Sequence, residues 1–238
     1  MSADHLVVPD TTRYHYALRT GICETCRKAS AAARIDSAQL SVHVGAPSAF
    51  RLPTVRQGAL VTDTHDLTKR NADFAASAFT AELRINPYGN MMVIGCVDPR
   101  VDPGTVLGLA NGEAAVLRNV GGRITPATLR TMAMLTKVSQ ANQESVPAGT
   151  WNLVILHHTD CGMTDLASYP DLLAEYFEVP ADDLAAKSVS DPFGSVRVDA
   201  DLVLARTRRP AALVSGLVYD VSTGLAETVV APTPLRAG

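Results

Sequence analysis

Long apolar runs and cysteines are what this sequence has least of. No apolar stretch approaches the roughly 20 residues that a helix needs to span a bilayer, and the N-terminus shows no secretory hydrophobic region. Four cysteines in 238 residues are too few for a disulfide scaffold. These absences predict a soluble protein in a reducing compartment, and we expect it to be cytoplasmic.

The sequence also lacks a large excess of charge of either sign. The chain carries 21 Lys and Arg against 24 Asp and Glu, a net charge of −3. This balance gives no reason to expect nucleic acid or an anionic membrane as a partner. A hydrophobic content of 47% with 19% charged residues is instead typical of a globular protein.

The first 58 residues differ in composition from the rest. They carry a net charge of +3, the remainder carries −6, and no sustained helical or strand period appears in them. We therefore predict a poorly ordered N-terminal extension over residues 1–58 and a folded domain over residues 59–238. Cys23 and Cys26 form a C-x-x-C pair in the extension; incidental surface thiols are favoured, with a structural zinc or a redox pair as alternatives.

The folded domain contains a short apolar run, Met91 to Ile94, that is typical of a buried strand. If the chain stays extended beyond it, alternate side chains share a face, and Cys96, Asp98 and Arg100 point the same way. Pro99 favours an extended Asp98. A thiol, a carboxylate and a guanidinium are thus predicted to converge where the strand ends.

A second apolar run, Trp151 to His157, leads into His158 and Cys161. Together with Cys96 these residues make a Cys2His set, which suits zinc with the fourth position left for water or substrate. The alternative is that both cysteines are inert buried thiols and His158 a core histidine. The joint pattern at two separate strand ends favours the metal site.

Helical patterns alternate with the strands along the domain. One runs from Asp63 to about Arg84, with Leu67 and Phe74 on an apolar face that could be core or interface, and another begins with a Thr125 cap before Pro126 and runs to about Asn142. Further strands are predicted at Ala114 to Leu117 and Ala211 to Tyr219, and Ala226 to Val230 is expected to pair antiparallel at the sheet edge. The fold class predicted is α/β, with a central mostly parallel β-sheet flanked by helices and an antiparallel edge strand. Sites in such sheets lie beyond the carboxyl ends of the strands, where Cys96 and His158 fall.

The motifs resemble those of the β-class carbonic anhydrases, a family that includes related carbonyl sulfide hydrolases. The family pattern is C-x-D-x-R followed some sixty residues later by H-x-x-C, and it also has an R-N-A-G-G loop. The matching positions are Cys96, Asp98 and Arg100, then His158 and Cys161, and the loop Arg118-Asn119-Val120-Gly121-Gly122. Pro99 departs from the serine or alanine that is usual there.

The resemblance implies reversible hydration of carbon dioxide to bicarbonate in a homodimer or homotetramer with one Zn²⁺ per chain. It implies metal ligation by Cys96, His158 and Cys161, and catalytic roles for Asp98 and Arg100. Close approach to a small substrate is expected at Gly121, Gly122 and Gly162.

Three other functions stay open at the level of sequence. The same scaffold could hydrolyse carbonyl sulfide or carbon disulfide, or the protein could be a non-catalytic zinc-binding homologue. A thiol-redox role of Cys23 and Cys26 is the third. His157, next to a ligand, is predicted to point to the opposite side of its strand. We expect it to support the ligands from behind or to pack in the core, rather than to shuttle protons.

Overall fold

The structure is a computed structural model that describes residues 63–142 and 149–236. The predicted extension, residues 1–58, with Cys23 and Cys26, lies outside the described residues. Within the described ranges, no helix combines the length and the apolar character that crossing a membrane requires.

Five strands form one sheet in the order β2-β1-β3-β4-β5. The first four run parallel, and the last pairs antiparallel with its neighbour at the edge. The strands are β1 (Met91–Cys96), β2 (Ala114–Asn119), β3 (Trp151–His158), β4 (Ala212–Asp220) and β5 (Leu225–Pro234). The predicted α/β fold with its antiparallel edge strand is confirmed.

One helix precedes β1 and the others connect the parallel strands, and side-chain caps or prolines set where several of them begin. They are α1 (Thr64–Ser77), α2 (Pro103–Val106), α3 (Pro126–Ala141), α4 (Pro170–Phe177) and α5 (Pro192–Arg206). Thr125 Oγ1 accepts a hydrogen bond from Thr128 N at 3.2 Å, so the predicted threonine cap before Pro126 is confirmed. Pro192 likewise occupies the first turn of α5, because its missing N–H costs nothing there.

The core lies on both faces of the sheet. On one face Val196, Ala200 and Val203 form a stripe along α5 that packs with Ile94 and Ile155 of the central strands. Val93, Val154 and Leu156 make a smaller buried cluster. Because β1 and β3 are covered on both faces, their carboxyl ends are held firmly side by side.

Helix α1 is the element that departs most from expectation. The sequence pattern suggested a helix to about Arg84, but α1 ends at Ser77. None of its residues is buried against the described chain, and Leu67 and Phe74 are 51% and 41% exposed. Its apolar stripe is therefore not part of this domain's core.

Candidate metal centre

Cys96, His158 and Cys161 meet at the carboxyl ends of two adjacent parallel strands. Cys96 is the last residue of β1, His158 is the last of β3, and Cys161 follows three residues later. One ligand atom from each side chain lies within 4.8 Å of the others, and the two sulfurs are 3.9 Å apart. The structure thus brings together the three predicted ligands.

This donor set fits zinc. Tetrahedral zinc with Zn–S bonds of about 2.3 Å places two sulfurs about 3.8 Å apart, close to the separation observed here. Two sulfurs and one imidazole nitrogen are also a ligand combination that zinc accepts while keeping a position for a small molecule. The three residues need no rearrangement of the backbone to hold the ion.

The hydrogen bonds of His158 determine which of its nitrogens is available. His158 Nδ1 lies 2.9 Å from the carbonyl oxygen of Thr159, to which it donates a hydrogen bond. Nε2 is buried and has no hydrogen-bond partner among the described residues. Since a proton on Nδ1 leaves a lone pair on Nε2, the backbone presets the tautomer that a metal needs.

The two thiols perturb each other. The pKa of Cys96 is lowered, chiefly because Cys161 can donate a hydrogen bond to its thiolate. The pKa of Cys161 is raised for the same reason. One thiolate therefore forms readily next to His158, which favours metal capture.

Asp98 and Arg100 lie beside the ligands, but Arg100 reaches its place in an unexpected way. The chain does not stay extended, because a 3₁₀ helix, Pro99–Val101, begins directly after Asp98. Asp98 caps this turn by accepting from Arg100 N at 2.9 Å, and Arg100 Nη2 donates to Asp98 Oδ2 at 2.7 Å. The expectation of simple strand alternation through Arg100 was wrong, although the two side chains do pair.

This pairing has an electrostatic consequence. The hydrogen bonds from Arg100 hold the pKa of Asp98 at about 2. Asp98 is therefore an ionised, acceptor-only group near neutral pH.

The loop after β2 lies directly against the ligand strands. A Cβ on Gly122, whose φ is +66°, would lie 2.9 Å from Cys96 N and 3.1 Å from Leu156 O. Gly122 thus has a packing reason to be glycine.

Arg118, near the end of β2, holds the segment that carries Cys96 and Asp98. Its Nε donates to Cys96 O at 2.8 Å and its Nη2 donates to Asp98 O at 2.7 Å, so both backbone carbonyl groups are fixed.

A cavity of about 430 Å³ opens beside the metal site. His158, Cys161 and Gly121 contribute to its wall, whereas Gly162 is exposed at the start of the 3₁₀ helix Gly162–Ser168. The substrate roles of the three glycines remain predictions. A larger apolar cavity of about 660 Å³, between α3 and Trp151, does not include the ligand residues.

Sequence reasoning missed a third partner of this site, Asp160. Its carboxylate accepts a hydrogen bond from Arg100 Nη1 at 2.7 Å, and its carbonyl accepts from Arg100 Nη2 at 2.8 Å. Asp160 has a φ of +52°, a left-handed conformation that Asp tolerates better than most residues. The signal in the sequence that could have revealed it was the position of this acid between the two ligands of the H-x-x-C motif.

A buried charged network behind the ligands was also missed. Asp199 accepts from Arg123 Nε at 2.8 Å and from Ile124 N at 3.0 Å, and His157 Nε2 lies 3.3 Å from the same carboxylate. His157 Nδ1 is 2.7 Å from Ser195 Oγ. His157 therefore packs in the core, as expected. An acid within the apolar stripe of α5 was the signal that could have revealed the network.

Comparisons with known proteins agree with this geometry. The family model described as carbonic anhydrase matches residues 91–178. The solved structure of a carbonic anhydrase from Streptococcus mutans is 30% identical, with a TM-score of 0.52, and the match covers 71% of this chain and 99% of that one.

Curated relatives match over shorter stretches. Beta-carbonic anhydrase 1 of Mycobacterium tuberculosis is 35% identical over 103 residues, 43% of this chain and 57% of that protein. Carbon disulfide hydrolase of Saccharolobus solfataricus is 30% identical over 87 residues, 37% of each chain. The chain thus matches little more than half the length of its mycobacterial relative. With the sheet order, the ligand geometry and a structural match that covers 99% of the Streptococcus mutans carbonic anhydrase, these findings show that the chain belongs to the β-carbonic anhydrase family.

Proposed function

We propose that the protein catalyses the reversible hydration of carbon dioxide to bicarbonate and a proton, with one zinc ion per chain. The observation that carries the proposal is the cluster of Cys96, His158 and Cys161, with an ionised Asp98 held beside it. Zinc, when bound there, supplies a hydroxide nucleophile near neutral pH by lowering the pKa of water from about 15.7 to about 7.

We propose that Asp98 orients that nucleophile. A carboxylate offers about four acceptor positions. Three N–H groups of Arg100, on N, Nε and Nη2, donate to Asp98. Because the single Nε hydrogen is shared between the two carboxylate oxygens, Asp98 can still accept one further hydrogen bond, which aims the lone pair of the nucleophile at the substrate carbon.

Arg100 acts on Asp98 rather than on the substrate. Its positive charge keeps Asp98 ionised, and its bidentate contact fixes the plane of the carboxylate. Arg118 donates hydrogen bonds to the backbone carbonyls of Cys96 and Asp98, and these bonds hold the loop that carries both residues. Gly121, in the cavity wall, would let a small linear molecule approach the nucleophile closely.

The test is stopped-flow carbon dioxide hydration with purified protein of known zinc content. The matched control is Cys161→Ser, which replaces a thiolate by a poor neutral ligand and is expected to lose both zinc and activity. If the zinc-loaded wild-type protein hydrates carbon dioxide no faster than the Cys161→Ser variant does, the proposal is contradicted.

Substrate choice is tested on the same samples. Similarity to a carbon disulfide hydrolase makes carbon disulfide and carbonyl sulfide the comparison substrates. We expect carbon dioxide to be turned over most efficiently. Efficient hydrolysis of a sulfur substrate, with little carbon dioxide hydration, would assign the protein to the hydrolases.

We also propose that the protein forms a homodimer or homotetramer and that it is cytoplasmic. Leu67 and Phe74 are exposed on α1, which buries no residue against the described chain, so a second copy is a natural cover for them. Replacing both by Asp is expected to lower the mass measured by light scattering; an unchanged mass would remove α1 from the interface. Two cysteines required as thiolates suit a reducing compartment.

A further inference from the structure

Arg100 is held from two sides by two different loops. The loop after β1 supplies Asp98, which accepts from Nε and Nη2, and the turn after β3 supplies Asp160, which accepts from Nη1 and Nη2. Every nitrogen of the guanidinium thus donates to one of these two residues. Nη1 makes no hydrogen bond to Asp98, and it is this nitrogen that donates to the Asp160 carboxylate.

The exposure of these side chains shows why a second anchor matters. The Arg100 side chain is 47% exposed, and that of Asp98 is 14% exposed. A single ion pair with an arginine that exposed is easily exchanged for water. The Asp160 side chain is itself 76% exposed, so the second anchor combines this ion pair with the hydrogen bond from Arg100 Nη2 to the Asp160 carbonyl. Together the two loops favour one orientation of the guanidinium, and Asp98 then keeps the partner that holds it.

Asp98 also lies close enough to the metal centre for its orientation to matter. Asp98 N donates to Cys96 Sγ at 3.5 Å, so its backbone contacts a ligand sulfur. A carboxylate released from Arg100 at this position is itself a zinc ligand. Its rotation towards the metal would occupy the fourth position.

We propose that Asp160 is a positioning residue that anchors Arg100 and thereby keeps Asp98 off the fourth coordination position. The inference rests on the proposed function, since it concerns the position where the substrate water would bind. It assigns a role to the second residue of the segment between His158 and Cys161, beyond that of spacing two ligands.

The test uses the cobalt-substituted full chain and thiocyanate as a probe anion, followed by visible absorption. Asp160→Gly removes the carboxylate and suits the φ of +52°. Asp160→Asn keeps the side-chain size and an acceptor oxygen but removes the charge. Asp165→Asn, an exposed acid on the following 3₁₀ helix, is the matched control.

Suppose that in Asp160→Gly the Asp98 carboxylate occupies the fourth coordination position in nine molecules out of ten. Only one molecule in ten can then bind thiocyanate, so the apparent Kd for thiocyanate rises about tenfold. We expect about that rise in Asp160→Gly, a smaller one in Asp160→Asn and none in Asp165→Asn. Adding Asp98→Asn to Asp160→Gly should restore the wild-type Kd, because a neutral amide is a poor competitor for the metal. A purely structural role of Asp160 predicts no such rescue.

Several results would overturn the inference. They are an unchanged Kd in Asp160→Gly, a raised Kd that Asp98→Asn does not restore, loss of cobalt binding in both Asp160 variants, and a wild-type spectrum that does not respond to thiocyanate. The spectrum does not depend on turnover. Inactivity towards carbon dioxide with the expected thiocyanate pattern would therefore refute the proposed function and leave the role of Asp160 standing.

Discussion

The buried ion pair of Arg123 and Asp199 gives the sharpest prediction about stability. Both side chains are 2% exposed, and Asp199 also accepts from Ile124 N. Burial alone would raise the pKa of Asp199, yet the proximity of His157 and the charge of Arg123 hold this pKa below its ordinary value. Asp199→Asn would leave the Arg123 guanidinium buried without a counter-charge.

Removing one partner of such a pair costs about 3–5 kcal/mol. At a urea m-value of about 2 kcal/mol/M, a loss of 4 kcal/mol lowers the unfolding midpoint by about 2 M. The single tryptophan, Trp151 at the start of β3, reports unfolding by fluorescence. Free zinc is kept equal in all samples, because a ligand of the folded state adds to apparent stability.

Asp201→Asn is the matched control for Asp199→Asn. Asp201 is exposed on the same helix, so its substitution is expected to change stability by no more than about 0.5 kcal/mol. A loss below about 1 kcal/mol for Asp199→Asn, indistinguishable from this control, would refute the reasoning.

A double variant separates the charge from the other contacts. Arg123→Met with Asp199→Leu removes both charges and should recover part of the loss. Recovery is incomplete, since Ile124 N still loses its acceptor.

The pH dependence has a defined sign. Because the pKa of Asp199 is lower in the folded state, its contribution is complete above the ordinary value of 3.8 and is lost as pH falls below it. The gap in unfolding free energy between wild type and Asp199→Asn should therefore narrow in acid; a gap that widens would contradict the assignment.

Further changes test the site and the domain boundary. Asp98→Asn should keep zinc but lower carbon dioxide turnover about 10- to 100-fold, because a neutral amide replaces the ionised, acceptor-only carboxylate that orients the nucleophile; unchanged turnover in stopped-flow assays would refute that role. Gly122→Ala should destabilise the fold more in urea than Gly108→Ala, since both have a φ of +66° but only Gly122 approaches other backbone atoms. Equal losses would remove the close-packing argument. Deleting residues 1–58 should leave zinc content and circular dichroism unchanged, and loss of folded protein would show that the extension is structural.

The ligands and the sheet could be predicted because their signals are local. Cys96 and His158 each end a short apolar run, and runs of this kind alternate with helical patterns along the chain. Parallel strands place their carboxyl ends together, so two strand ends predicted one site.

Other features depend on contacts that sequence spacing does not encode. Arg123 and Asp199 are 76 residues apart and meet only when α5 packs on the sheet. The direction of Arg100 depends on a 3₁₀ turn that the capping bond to Asp98 creates. The length of α1 was overestimated because its apolar stripe continues past Ser77, where the helix ends without support from the described chain.

The central claim is that Cys96, His158 and Cys161 share one metal ion that keeps a fourth position for a small molecule. X-ray absorption at the zinc edge of the purified protein tests it most directly. The account predicts one zinc per chain with two sulfurs at about 2.3 Å and two nitrogen or oxygen atoms at about 2.0 Å. A shell of four sulfurs, a shell without sulfur, or a chain that retains no zinc would contradict it.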